Sequence, residues 1–302
     1  MKTSTRYALH SLIRSTTRTL VSLIGVGIGV AIGVVATAWI RGEDGMMVNS
    51  TAESGQGHLQ YVPATWEETR DTRLRLPAAT EKLTSLALKV PGVKVAAPQL
   101  EVEGLLGMGT RVQSVSLLGI DPIEERKIRR TVRGVTAGRY LKAGDEQSIV
   151  IGGELARRLD VEVGDELVVT SVGPGGDMNS ALLSVLGLVE SGSKELDSTV
   201  AHVLFSEAEK LSGRKGASRV AMLIENLDEM EAVQAGLAGE LKSAGIVGVD
   251  TLNWKQVNPG LVAAMESDAA FSQAIIVVVI LLVILGVTSA QLTGVLQRGR
   301  EF

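Results

Sequence analysis

Residues Ala274 to Phe302 read AIIVVVILLVILGVTSAQLTGVLQRGREF. The 23 residues from Ala274 to Leu296 carry no charge. A helix rising about 1.5 Å per residue would cover about 35 Å over that length, enough for a hydrocarbon core of roughly 30 Å. Local propensity points the other way, because Ile275 to Ile280 is an unbroken β-branched run. In lipid, however, a lone strand would leave its backbone N–H and C=O groups unpaired, so a single segment must be helical. Core helices of soluble proteins rarely stay uncharged for so long. Arg298, Arg300 and Glu301 follow, with no terminating pattern at Phe302, and the natural protein is expected to continue.

A second uncharged stretch, Thr19 to Ile40, is closed by Arg41. Before it, residues 1–18 hold Lys2, Arg6, Arg14 and Arg18 and no acid. The positive-inside rule places that basic flank in the cytosol, and Arg298 and Arg300 likewise. Both placements agree with two crossings and an exported loop between them. The expected division is a cytosolic N-terminus at 1–18, a first span at 19–40, a second at 269–297, and the start of a cytosolic segment at 298–302. A cleaved signal peptide competes for the first span, since Ala36-Thr37-Ala38 is an A-x-A site. Its apolar run is too long for a signal core, which favours a retained helix. Gly25, Gly29 and Gly33 recur every fourth residue and form a ridge that lets a neighbouring helix approach in lipid. They lack the spacing and strand–turn–helix setting of a nucleotide loop.

The net charge of −4 hides an asymmetry, with basic ends around an acidic middle. An acidic middle argues against nucleic acid as a partner, which wants a basic surface. The chain has no cysteine, which removes disulfides and thiolate metal sites.

Within the exported stretch, His58 to Val62 reads as a short strand and Ala78 to Lys89 as a helix. The apolar face of that helix is Ala79, Leu83, Leu86 and Leu88. Val93 to Leu106 and Arg111 to Gly119 alternate as strands around the turn at Gly107–Gly109. Asp121 to Arg133 is charged and linker-like, and Glu124-Glu-Arg-Lys-Ile-Arg-Arg130 reads as a solvated helix face. The next segment is β-rich: strands at Ser148–Ile151, Glu166–Val172 and Ala181–Val189, a short helix at Gly153–Leu159, and a hairpin tip at Gly173–Asp177. Ser218 to Glu225 is a strand. Asp228 to Ser243 is an amphipathic helix with Met230, Val233, Leu237 and Leu241 inward. Asp228 stands as its N-cap, Glu231 in capping-box position, and Gly245 at its end. Ile246 to Leu252 is a strand, and Trp254 to Gln273 a helix in which Pro259 marks a start or kink. This second strand–helix–strand unit echoes the first. The expected fold class is an α+β membrane protein: two transmembrane helices flank an extracytoplasmic domain. An α/β porter-like subdomain (41–120 and 206–268) carries an inserted β-rich subdomain (121–205).

Catalytic patterns are missing. His10, His58 and His202 show no metal spacing, and there is no G-x-S-x-G elbow or P-loop. Asp145 and Asp165 read as turn residues.

The order of these features resembles the MacB/FtsX-type permeases of ABC transporters, including the lipoprotein-releasing permeases. The resemblance is carried by RTLVSLIGVGIGVAIG in the first span and by Gly138-Arg-Tyr-Leu141. Two longer stretches, IVIGGELARRLDVEVGDELVV (Ile149–Val169) and VLGLVESGSKELDSTVAHV (Val185–Val203), carry it further, with the ending Q-R-x-R-E-F. It implies a non-catalytic subunit with no cofactor of its own, ATP being bound by a separate ABC ATPase partner. It also implies a second permease copy or paralogue as dimer partner, membrane lipid around the spans, and a lipoprotein or periplasmic partner outside. Arg298, Arg300 and Glu301 match the segment before the family's coupling helix. The implied location is the bacterial inner membrane with a cytosolic N-terminus. Two other classes share the architecture: a two-span receptor with an extracytoplasmic ligand-binding domain, and a tail-anchored exported binding protein.

Overall fold

The computed structural model describes residues 16–129, 134–192 and 194–298. They fall into two units. One comprises the chain up to Met47 and from Gly260 onward, the other Val48–Pro259.

The first unit is helical. Helix α1 spans Thr16–Thr51, well beyond the uncharged stretch, and passes through Glu43 and Asp44 without a break. The last helix of the chain spans Pro259–Arg298. Within it Pro259–Gly286 is the one segment among the described residues long and apolar enough to cross a membrane, with a mean hydropathy of 2.8. Its Ile, Val and Leu side chains are largely exposed.

The second unit is α/β. Strands β1 (Leu59–Pro63), β2 (Val93–Met108) and β3 (Arg111–Ile120) bracket helix α2 (Thr80–Ala87). Helix α3 (Pro122–Ile128) follows, then β4 (Val135–Gly138), β5 (Ser148–Gly152) and α4 (Gly153–Leu159). Next come β6 (Glu166–Val172), β7 (Met178–Val189), β8 (Val200–Leu204) and α5 (Phe205–Ser212). The unit closes with β9 (Arg219–Ile224), α6 (Met230–Ser243), β10 (Val249–Asn253) and α7 (Trp254–Val257). The Pro259–Arg298 helix is α8.

The ten strands among the described residues join one sheet, ordered β10-β1-β9-β2-β3-β8-β5-β7-β4, with β6 bridging β2 and β7. The pairings β2–β3, β3–β8, β8–β5, β5–β7, β7–β6 and β6–β2 return to their start. Six strands therefore close into a barrel, and β1, β9 and β10 extend from it as an open wing. Strand β2 serves both parts: Val93–Gln99 pairs with β9, and Gly104–Gly107 pairs with β6. Period-two alternation decides what fills the barrel. Leu167 and Val169 of β6, Leu183 and Val185 of β7, and Leu100, Val102 and Leu106 of β2 are buried together, with Leu155 and Leu211 from α4 and α5. Under the wing, Leu59, Tyr61, Val220 and Met222 pack against Leu83 of α2 and Val233, Leu237 and Leu241 of α6.

The helix breaks differ from sequence expectation in three places. Leu88 is about half exposed and Ala87 buried in its stead, because the chain leaves α2 at that point. Asn226, not Asp228, caps the entrance to α6: its side chain accepts from Asp228 N over a short 3-10 turn. The expected helix from Trp254 is interrupted at Asn258, because Pro259 restricts the residue before it, and α8 starts at that proline. Edge strand β10 is guarded. Gln234 of α6 donates to Thr251 O, and the Asn253 N–H is taken by Gln256, which blunts strand addition there.

Candidate functional site

One layer of the sheet lies outside the barrel and is lined by polar groups. Gln99 and Glu101 of β2, Ser116 of β3, His202 of β8 and Arg219 of β9 share this face by register. Helix α3 and the π-turn Ala52–Gln56, which follows α1, cover it.

The cover is held by a buried charge network. Glu125 of α3 has no solvent exposure and lies 2.6 Å from Arg129 Nε. Arg129 Nη1 donates to Ser54 O in the π-turn. Gln99 Nε2 donates to the neighbouring Gly55 O at 2.7 Å and approaches Glu125 Oε2 at 3.1 Å. Gln99 Oε1 accepts from Arg219 Nε at 2.8 Å, and Arg219 Nη1 donates to Glu101 Oε2 at 2.7 Å. Ser116 Oγ donates to Glu101 Oε1. Arg219 holds the Glu101 carboxyl below the ordinary carboxylate range despite its burial. Gly55 must be glycine here: its φ is +106°, and a side chain would collide with the Arg129 guanidinium.

This network grips the turn just after α1. A second clasp ties the same turn to the start of α8. Asn258 Nδ2 donates to Gln56 Oε1 at 2.7 Å. Arg70 donates to Gln256 O and Val257 O, both at 2.8 Å, with its guanidinium stacked 4.4 Å over Trp66. The chain segments leaving α1 and entering α8 are thus fastened to each other and to the sheet.

Beside the network lies a cleft of about 250 Å³ lined by Glu101, Ser116, Arg129, His202 and Arg219, among others. His202 is 2 % exposed, its Nδ1 2.9 Å from the Tyr140 hydroxyl. Burial, then Arg129, pushes the His202 pKa well below 6.5; burial also lowers that of His58. A histidine held neutral in the folded state binds a proton more readily when unfolded. Its contribution to stability is complete above about pH 6.5 and is lost as pH falls toward the folded pKa, by up to about 1.4 kcal/mol per pH unit per group. Urea unfolding at pH 7.5 and pH 5.5 should show that loss, and His202→Gln should reduce it.

The sequence-predicted residues fall elsewhere. A Cβ built on Gly29 would lie 2.6 Å from Val283 Cγ2 of α8, so this glycine lets the two helices meet. Gly25 and Gly33 have nothing within 4 Å. Gly29→Leu should destabilise this helix pairing in detergent by about 1–3 kcal/mol. Gly25→Leu and Gly33→Leu should stay within about 0.5 kcal/mol, read as melting temperature. Arg298 is the last described residue of α8, while Arg300 and Glu301 lie outside the described residues. The solvated reading of Glu124–Arg130 is corrected at Glu125, which is buried. The available signal was spacing: Pro122, Glu125 and Ile128 recur at helical intervals, and all three are buried.

A mixed sheet of which six strands close into a barrel, with a polar network on its outer face, defines the unit Val48–Pro259 as an α/β domain. The chain belongs to the MacB-like periplasmic core domain family, whose model matches residues 19–240. It is 31% identical over 191 residues to the lipoprotein-releasing system transmembrane protein LolC of Xylella fastidiosa (strain Temecula1), covering 61% of this chain and 45% of that protein. It is 24% identical over 293 residues to LolC of Neisseria meningitidis serogroup B (strain MC58), covering 93% of this chain and 66% of that protein. The chain therefore spans from about half to two thirds of the length of these relatives. Among solved structures, the periplasmic region of MacB from Actinobacillus actinomycetemcomitans matches with a TM-score of 0.50 at 13% identity, over 67% of this chain and 91% of that one. At that identity the likeness speaks for the fold alone.

Proposed function

We propose that this chain is part of a permease subunit of an ABC transporter of the lipoprotein-releasing kind. In this reading α1 and α8 both cross the inner membrane, the N-terminus and Arg298 face the cytosol, and the unit Val48–Pro259 is extracytoplasmic. A separate ATPase binds and hydrolyses ATP; a second permease copy or paralogue completes the dimer. Movement of the helices reaches the sheet through the Ser54–Gly55 turn and the Gln56–Asn258 clasp, and so moves a lipoprotein or its periplasmic carrier. The observation that carries the reading is the family match, which runs through the first apolar stretch into the sheet domain. It is joined by relatives named for lipoprotein release.

The test is affinity purification of the protein at its full natural length from membranes, followed by identification of its companions. Recovery of an ABC ATPase in stoichiometric amount supports the reading. Recovery without an ATPase, and with a cytosolic helical linker after the second span, would make it a receptor. Orientation is checked on the 302-residue chain, which has no cysteine. Asp177→Cys should react with a membrane-impermeant maleimide in intact spheroplasts, and Ser4→Cys only after lysis.

A further inference from the structure

The cleft beside the polar network is lined by two hydrogen-bond donors that have no partner among the described residues. The first is on His202. The Tyr140 hydroxyl is buried and has one partner among the described residues, His202 Nδ1. Were Nδ1 the donor, the phenol hydrogen would have no acceptor and Nε2 would be a bare acceptor as well. With tyrosine donating, a single group is left over, Nε2–H. That tautomer also suits a ring kept neutral by its burial. His202 Nε2 is fully buried and without a partner among the described residues. The second donor is on Arg219. Its Nε and Nη1 are spent on Gln99 and Glu101, which leaves Nη2 without a partner among the described residues. Glu101 accepts from Ser116 Oγ and Arg219 Nη1 and makes no hydrogen bond with His202 Nε2, so this carboxylate is not the acceptor that His202 lacks.

Buried donors are rarely left unsatisfied, because each costs its full desolvation. Here His202 Nε2 is such a donor, and Arg219, whose side chain is 17 % exposed, lines the same cleft of about 250 Å³. That is smaller than a drug-sized pocket and fits a molecule of a few heavy atoms. We infer that this cleft binds a small carboxylate, which accepts from His202 Nε2–H and from Arg219 Nη2. A carboxylate has only acceptors to offer and brings two oxygens, one for each donor. The site stands apart from the permease reading. Its position gives it a consequence all the same: Arg129, which grips the Ser54 carbonyl, lines the same cleft, so an occupant would bear on the turn after α1.

The test uses the whole chain in lipid nanodiscs, labelled with 15N at histidine. The sequence has three histidines, His10, His58 and His202, so assignment by single substitution is direct. Sodium acetate is titrated against sodium chloride at matched ionic strength. The expected result is that His202 carries its proton on Nε2, and that this signal moves saturably with acetate and not with chloride. Arg219→Gln should weaken that response by about tenfold or more. Unchanged His58 signals report that the variant is folded. Should Arg219→Gln lose them, Tyr140→Phe takes its place: it frees Nδ1 and should mix the tautomers and weaken the acetate response. A His202 proton on Nδ1, or an Nε2 signal that ignores acetate or moves equally with chloride, overturns the proposal.

Discussion

Arg129→Ala is expected to cost the sheet domain about 3–5 kcal/mol, the range for removing one partner of a buried ion pair. Glu125 has no solvent exposure, and Arg129 has about a tenth of its side chain exposed. With the guanidinium gone, Glu125 keeps, among the described residues, only the Gln99 amide as a side-chain partner, at 3.1–3.3 Å. The Ser54 carbonyl loses its donor in the same step. The measurement is urea unfolding followed by fluorescence of Trp254, which is buried in this unit. Two companions separate charge from shape. Replacing Glu125 and Arg129 together by methionine should recover most of the loss, because no unpaired charge remains. Arg111→Ala should stay within about 0.5 kcal/mol, since both members of its ion pair with Asp160 are exposed. A loss below about 1 kcal/mol for Arg129→Ala would show that the pair is open to water in solution.

Gly138→Val should be the most damaging single change on the barrel's outer wall. Gly138 has φ +69°, where a β-branched residue is strained, and any Cβ there would run into the Leu186 carbonyl oxygen. Its register partner Gly187 is equally confined, against the backbone of Arg139. Backbone strain and overpacking each cost about 1–3 kcal/mol. Their sum, roughly 2–6 kcal/mol, competes with the whole stability of a domain. The consequence is local first. Tyr140 and Leu141 follow directly and are buried beside Leu118, Val150 and Val189. Tyr140 would lose its place against His202 before the barrel opens. Hydrogen exchange should therefore show β4 and the 139–141 segment unprotected in Gly138→Val, with β6 and β7 amides near their native protection. Uniform loss across the barrel would mean that β4 is integral to its folding.

What could be read from the sequence was what depends on neighbours along the chain. The β2–β3 hairpin was expected at 93–106 and 111–119 and spans Val93–Met108 and Arg111–Ile120. Its alternation and glycine turn are local signals, with Gly109 at φ +60°. The inward face of α6 follows from its period for the same reason. Barrel closure does not, because β6 meets β2 through residues more than sixty positions apart, and β3 lies parallel to β8. No local pattern specifies such partners. The polar network was hidden for a different reason. Gln99, Glu101, Arg129 and Arg219 come from three separate stretches, and each alone looks like a surface residue. Only Glu125 carried a local clue, in its spacing from Pro122 and Ile128.

The closed ring of strands has a bearing on how this protein can be taken apart or recombined. Two of its six staves, β2 and β3, lie before the stretch that supplies the other four. Residues 121–205 are contiguous in sequence yet are not a complete module. Lifted out alone, they would leave β6 and β8 with raw edges and the barrel's apolar filling open to water. A graft between related proteins would have to carry residues 93–120 as well, and with them half of the pairing that holds β9. Wing and barrel are therefore expected to change hands together or not at all.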